Sequence, residues 1–109
     1  MGTRSTQLSS PGANAKATTS ILVDHLHITA VGAIIQTTNI PATDTFVEIT
    51  LLNGSNATSA IATKLTSGYI GSAASIGWQG SIHTEASQWI NINAWGLSPS
   101  TIILTILNE

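Results

Sequence analysis

From Ser20 onward the chain is a series of short runs rich in Ile and Thr, cut by Gly, Pro, Asn and Ser, and no window repeats apolar residues at i, i+3, i+4 and i+7. β-branched side chains lose freedom in a helix and pack well on a pleated sheet. A helical fold is therefore excluded, and the runs read as strands. Ser20 to Ala30 is a first strand, and Ala33 to Asn39 follows after Gly32. Pro41, in the loop from Ile40 to Asp44, cannot donate to a ladder. Thr45 to Leu52 alternates, with Val47, Ile49 and Leu51 on one face and Glu48 and Thr50 on the other. Asn53-Gly54 offers a tight turn into a partner strand from Ala57 to Leu65. Ser67 to Gly77 reads as a loop with a short strand, and Trp78 to Thr84 as a strand broken at Gly80. Gln88 to Trp95 and Thr101 to Leu107 are the clearest strands. About seven to eight short strands with regular turn signals define an all-β chain, a single β-sandwich or jelly-roll-like domain.

The first nineteen residues are different. Met1 to Thr19 holds mostly Ser, Thr, Gly, Ala and Asn without apolar periodicity. It is expected to be an extended arm (1–19) lying on a neighbouring subunit, with the sandwich domain confined to 20–109. The polar start lacks the apolar stretch of a signal peptide, and no run approaches the roughly 18 apolar residues of a membrane span. Synthesis in a cytoplasm and no membrane partner are the expectations. The absence of cysteine excludes a disulfide framework and any thiolate metal site.

Charge is scarce. Arg4, Lys16 and Lys64 face Asp24, Asp44, Glu48, Glu85 and Glu109, so only 7% of residues are charged, against about 25% in a typical chain. Repulsion between copies is weak, which suits a protein packed against others. Too few basic residues are present to neutralise phosphates, so nucleic acid is not an expected partner.

Little in the chain points to catalysis. His25, His27 and His83 accompany scattered acids, but no Gly-x-Ser-x-Gly elbow and no phosphate-cradling glycine pattern occurs. The expectation is a protein that is not an enzyme and needs no cofactor. Asn53-Gly54-Ser55 and Asn56-Ala57-Thr58 match the glycosylation pattern by chance in a chain so rich in these residues.

Two local patterns stand out. In His25-Leu26-His27 a strand would project both imidazoles to one face, about 7 Å apart. Two ligands do not complete a site, but three strands around a three-fold axis would supply an octahedral set. The alternative is a pair of polar residues on a half-exposed strand, or a pH-sensitive contact. In Gln88 to Trp95, Ile90, Ile92 and Ala94 share the core face, leaving Trp89, Asn91, Asn93 and Trp95 on the other. Two indoles flanking two amides suit a subunit interface, packing under a covering loop, or a glycan site.

The polar segment Met1 to Thr19, the compact strands after it and the closing run Thr101-Ile102-Ile103-Leu104-Thr105-Ile106-Leu107 together resemble the small β-sandwich proteins of tailed bacteriophages. These are the capsid decoration (cement) proteins and related trimeric fibre domains. The resemblance implies a homotrimer on the outer capsid surface of a virion, partnered by the major capsid protein and stabilising capsomer joints. It also implies an arm that adds a strand to a neighbour, and a His-x-His pair similar to axial metal sites of phage fibres. The alternative it leaves open is a fibre-type or lectin-like domain that binds a receptor glycan.

Overall fold

Eight antiparallel strands carry the chain in a computed structural model that describes residues 2–55 and 58–109. They are β1 (Gly2–Ser10), β2 (Ala15–Leu22), β3 (His27–Ile35), β4 (Thr45–Leu52), β5 (Ile61–Ile70), β6 (Ile76–His83), β7 (Trp89–Gly96) and β8 (Ser100–Asn108). One sheet has the order β1-β8-β3-β6 and the other β2-β7-β4-β5. The chain is in effect one long ribbon, β1 to β4 paired against β8 to β5, rolled so that β8 also meets β3 and β7 also meets β4. That winding is the jelly roll.

The core follows from alternation. Ile28, Val31 and Ala33 of β3 and Ile102, Leu104 and Ile106 of β8 face Val47, Ile49 and Leu51 of β4 and Ile90, Ile92 and Ala94 of β7. Each Ile or Leu so enclosed contributes roughly 1.5–3 kcal/mol. Gly80 sits at an irregularity where β6 slips against β3 between Ile28 and Ala30. A Cβ there would come within 2.6 Å of the Trp78 ring, so glycine at this position leaves room for the indole where it packs.

The N-terminal segment is not an arm. Gly2–Ser10 pairs residue for residue with Ser100–Asn108, Leu8 is buried opposite Ile102, and Ala17 of β2 is buried opposite Ala94. The segment forms an edge strand and most of the next one, with its hydrogen bonds spent inside its own sandwich. A Ser/Thr-rich edge needs few apolar residues because one ladder and a single leucine fix its register. The expected strand from Ser20 to Ala30 is also divided, by a turn at Asp24 and His25. Strand β5 and strand β6 leave only Gly71 to Ser75 between them, where a longer loop was expected. β4 and β5 do form the expected hairpin, but β5 starts at Ile61 and the connection closes with Asn53 N–H donating to Ala60 O at 2.9 Å. The expected strand start at Ala57 and the Asn56 sequon lie outside the described residues, as does Met1.

Short connections at both ends are tied by side chains. Asp44 is buried and accepts from Thr45 Oγ1 (2.9 Å), Ser98 Oγ (2.9 Å) and Ser98 N–H (3.2 Å), joining the β3–β4 loop to the β7–β8 turn. Burial pushes its carboxyl up, but hydrogen bonds from the Ser98 and Thr45 hydroxyls and from the Ser98 and Leu97 backbone outweigh this and hold it below its ordinary 3.8. At the other end the buried Thr84 hydroxyl bridges Val23 O and Leu26 N–H, closing the turn that holds His25. Gln88 Nε2 donates to Asn53 Oδ1 at 2.9 Å, tying the β6–β7 and β4–β5 connections together.

Candidate functional site

Strand β7 runs through the middle of its sheet, between β2 and β4, so its outward residues form rows with theirs. Trp95 lies between Lys16 and Phe46, and Phe46 in turn faces Tyr69 on β5. The four make a continuous line across all four strands. Lys16 Nζ stands 5.9 Å from the Trp95 ring centre, Trp95 and Phe46 are 6.1 Å apart, and Phe46 meets Tyr69 edge-on at 5.2 Å. Such cross-strand pairs steady the sheet by a few tenths of a kcal/mol to about 1 kcal/mol each. Tyr69, at 58% exposure, presents the open end of the row.

The next rows are polar. Asn93 is flanked by Thr18 and Glu48, and Asn91 by Ser20 and Thr50. Asn91 is only 2% exposed; its Oδ1 accepts from Thr18 Oγ1 and its Nδ2 donates to Asn93 Oδ1, both at 3.1 Å. It therefore positions Asn93 and cannot itself meet a partner. Beyond it, Trp89 is half-buried between Leu22 and Leu52, and Leu52 is enclosed at 1% exposure although it points away from the core. Ser20 Oγ donates to Ser55 O at 3.2 Å, so the β4–β5 connection folds over this end of the sheet. Of the four expected residues, Asn91 is buried, while Trp89, Asn93 and Trp95 are each half-buried on the outer face. Phe46, Tyr69 and Lys16 complete the row and were not singled out in the sequence. The alternation of Thr45 to Leu52 puts Phe46 opposite Val47 and held that signal for one of them.

The histidine pair separates. His25 lies in the turn before β3 with φ of 55°, and His27 is the first residue of β3, so the two do not share a strand face. The premise of an axial metal site is thus removed. His27 instead stacks on His83 at 4.1 Å, its Nδ1 is 3.1 Å from Glu109 Oε2, and its Nε2 is 2.7 Å from Ser81 Oγ. Both ring nitrogens are engaged within the chain. Among the described residues, no group of three or more His, Cys, Asp or Glu side chains could hold a metal.

The other sheet face, outside β1-β8-β3-β6, carries no Lys, Arg, Asp or Glu side chain along its middle among the described residues; its charge is at one end, where Glu109 meets His27 beside His83. Arg4 lies on the far side of β1 and donates to Leu22 O at 3.3 Å, while Glu109 turns to His27 past the end of β8. Ile34 and Leu107 stand out from this face at 51% and 42% exposure, beside a shallow groove over Gly32 and Gly77.

No known protein family and no characterised protein matches the sequence. By structure, the chain is similar to the mitogen of Yersinia pseudotuberculosis at 6% identity and a TM-score of 0.56, covering 99% of this chain and 86% of that one. It is similar to a chain of the cowpea mosaic virus top component, its naturally occurring empty particles, at 10% identity and a TM-score of 0.56, covering 94% of this chain and 80% of the other. The empty virus-like particle of the same virus matches at 10% identity and a TM-score of 0.52, covering 100% and 81%. At such identities the likeness is one of fold: this chain is a small eight-stranded jelly roll of the kind found in those viral particles.

Proposed function

We propose that this chain is a structural protein of a virion, a decoration or cement protein of the bacteriophage type that binds the outer capsid surface as an oligomer. It would stabilise capsomer joints without catalysis. The observation that carries this reading is a jelly roll reduced to its eight strands, with connections tied at both ends and a sheet face whose one Lys, Arg, Asp or Glu side chain among the described residues, Glu109, sits at its end. Enzymes on β-sandwiches place their chemistry on long loops or in a cleft with convergent acids and bases. Here the exposed surface is sheet, suited to broad contact. Many copies on one lattice gain by effective concentration, so each contact can be modest. With β1 and β2 paired inside the sandwich, the clamp works through sheet faces and loop ends, not through a latching arm.

The test is co-sedimentation with particles from the source of the chain. Added protein should pellet at a saturable ratio and raise the temperature at which the particles open. A chain that stays in the supernatant and leaves particle stability unchanged would overturn the reading.

A second reading is favoured by the row of Trp95, Phe46 and Tyr69 beside Asn93 and Glu48. Aromatic rings next to amide and carboxylate groups are the chemistry with which a receptor glycan would be held. Glycan-array binding that is lost on replacing Tyr69 and Trp95 by Ala, with the fold retained, would support it. An array without signal would exclude it.

A further inference from the structure

We propose that Ser81 is a nucleophile poised for acylation by a carboxylic ester, with His27 as its base and Glu109 as the residue that positions that base. The three come from adjacent strands, in the order β8-β3-β6. His27 opens β3, Ser81 lies near the end of the antiparallel β6, and Glu109 directly follows β8. His27 faces outward because the irregularity between Ile28 and Ala30 turns Ile28 wholly into the core and so reverses the alternation for its neighbour. Ser81 Oγ is 2.7 Å from His27 Nε2, and Glu109 Oε2 is 3.1 Å from His27 Nδ1. A carboxylate at Nδ1 draws the ring proton to that nitrogen and leaves Nε2 as the acceptor for the serine hydroxyl. His83 stacks on the same ring at 4.1 Å, with the planes 19° apart, and so fixes its orientation. Hydroxyl, imidazole and carboxylate thus stand in the order that makes a serine nucleophilic. Ser81 itself is exposed, so a reagent reaches it.

The acyl group has a place to lie. Gln79, Ala30 and Leu107 come next along the same three strands and border a groove of about 490 Å³ over Gly32 and Gly77. Neither glycine has a positive φ, and a Cβ would meet nothing nearer than 3.5 Å at Gly32 or 3.4 Å at Gly77. The fold does not demand that bare floor; close approach by a ligand does. The lining holds no charged side chain, which selects an ester with an apolar acyl chain. In the step, Ser81 Oγ attacks the ester carbonyl carbon while His27 Nε2 takes the hydroxyl proton. The bond from that carbon to the alcohol oxygen breaks, the alcohol leaves with the proton from His27, and the acyl group stays on Ser81 as a new ester. Strand β6 is paired on one side only, so the N–H groups along its open edge are available to the carbonyl oxygen as it takes on charge. The transfer goes beyond the virion reading and is independent of it: a chain modified once at Ser81 turns nothing over.

The test is timed reaction of the purified chain with an alkyl fluorophosphonate, mapped by peptide mass spectrometry, and with p-nitrophenyl butyrate, followed by nitrophenolate release. Ser81 should be modified at least about tenfold faster than Ser75, an exposed serine just before the same strand. His27→Ala should bring Ser81 down to the rate of Ser75, and added imidazole should restore part of the difference. Glu109→Gln should slow the reaction by about tenfold or more with the thermal midpoint unchanged, because an amide donates to Nδ1 and moves the ring proton to Nε2. Ser81→Ala should abolish the fast release of nitrophenolate. A wild type in which Ser81 reacts no faster than Ser75 would overturn the inference, and that comparison stands even if a variant loses its fold. So would a folded His27→Ala that reacts like the wild type. The measurement uses no particles, so its failure is distinct from failure of the virion reading.

Discussion

Replacing Leu8 by Ala asks whether the first strand belongs to the core. Leu8 is 6% exposed on β1 and sits opposite Ile102 of β8. Removing a buried leucine beyond its Cβ costs about 2–5 kcal/mol, the spread reflecting how far the site can close. β1 is an edge strand with neighbours on one side only, so partial collapse is possible, and a loss of about 2–3 kcal/mol is expected. In urea unfolding followed by far-ultraviolet circular dichroism, this moves the midpoint down by about 1.5–2 M. Gln7→Ala, one residue earlier and pointing to solvent, is the control and should stay within about 0.5 kcal/mol of wild type. Deleting residues 1–18 should abolish cooperative folding, because it removes β1 and half of β2. If Leu8→Ala were indistinguishable from Gln7→Ala, the segment would not be part of the sandwich, and the pairing with β8 would be wrong.

Asp44→Asn should cost about 1–2 kcal/mol, since the amide keeps one acceptor oxygen and turns an NH2 donor toward groups that donate to the other carboxylate oxygen. The Asp44 pKa is lowered by folding, so its stabilisation is complete above about pH 4 and is lost as the pH falls below. Thermal scans should therefore converge for wild type and Asp44→Asn on acidification; a constant gap would refute the role given to the carboxylate. Trp95→Ala removes a half-buried ring between Lys16 and Phe46 and should cost roughly 1–2 kcal/mol, less than the roughly 3–5 kcal/mol of a core Trp. Calorimetry showing wholesale unfolding would mean that Trp95 is packed far more tightly than described.

Where each strand buries one face and exposes the other, its sequence was readable. Ile90, Ile92 and Ala94 alternate with Trp89, Asn91, Asn93 and Trp95, and the three apolar residues that alternation selects are fully buried, as are Val47, Ile49 and Leu51. Alternation does not show that Asn91, Thr50 and Leu52 of the opposite face are covered as well. β1 was hidden because its inward positions are Gly2, Arg4, Thr6, Leu8 and Ser10, of which one is an apolar side chain. Its place is decided by the unpaired edge of β8, nearly a hundred residues away, and no local window contains that information. His25-Leu26-His27 has strand-like spacing, yet the turn there is closed by Thr84 from another strand connection. The line from Lys16 to Tyr69 draws on four separate segments, so only the sheet order brings it together. Tyr69 lies in a stretch whose Gly and Ser content reads as loop, because glycines within β5 and β6 erase the alternation.

Imaging the particle itself bears most directly on the proposed role. Electron cryo-microscopy of particles purified from the source of the chain should show eight-stranded jelly-roll density on the outer surface, in fixed register with the capsomer joints. The density should be lost when the chain is absent and restored when it is added back. Particles whose outer surface carries no such density, while the chain remains in the soluble fraction, would contradict a structural role in the virion.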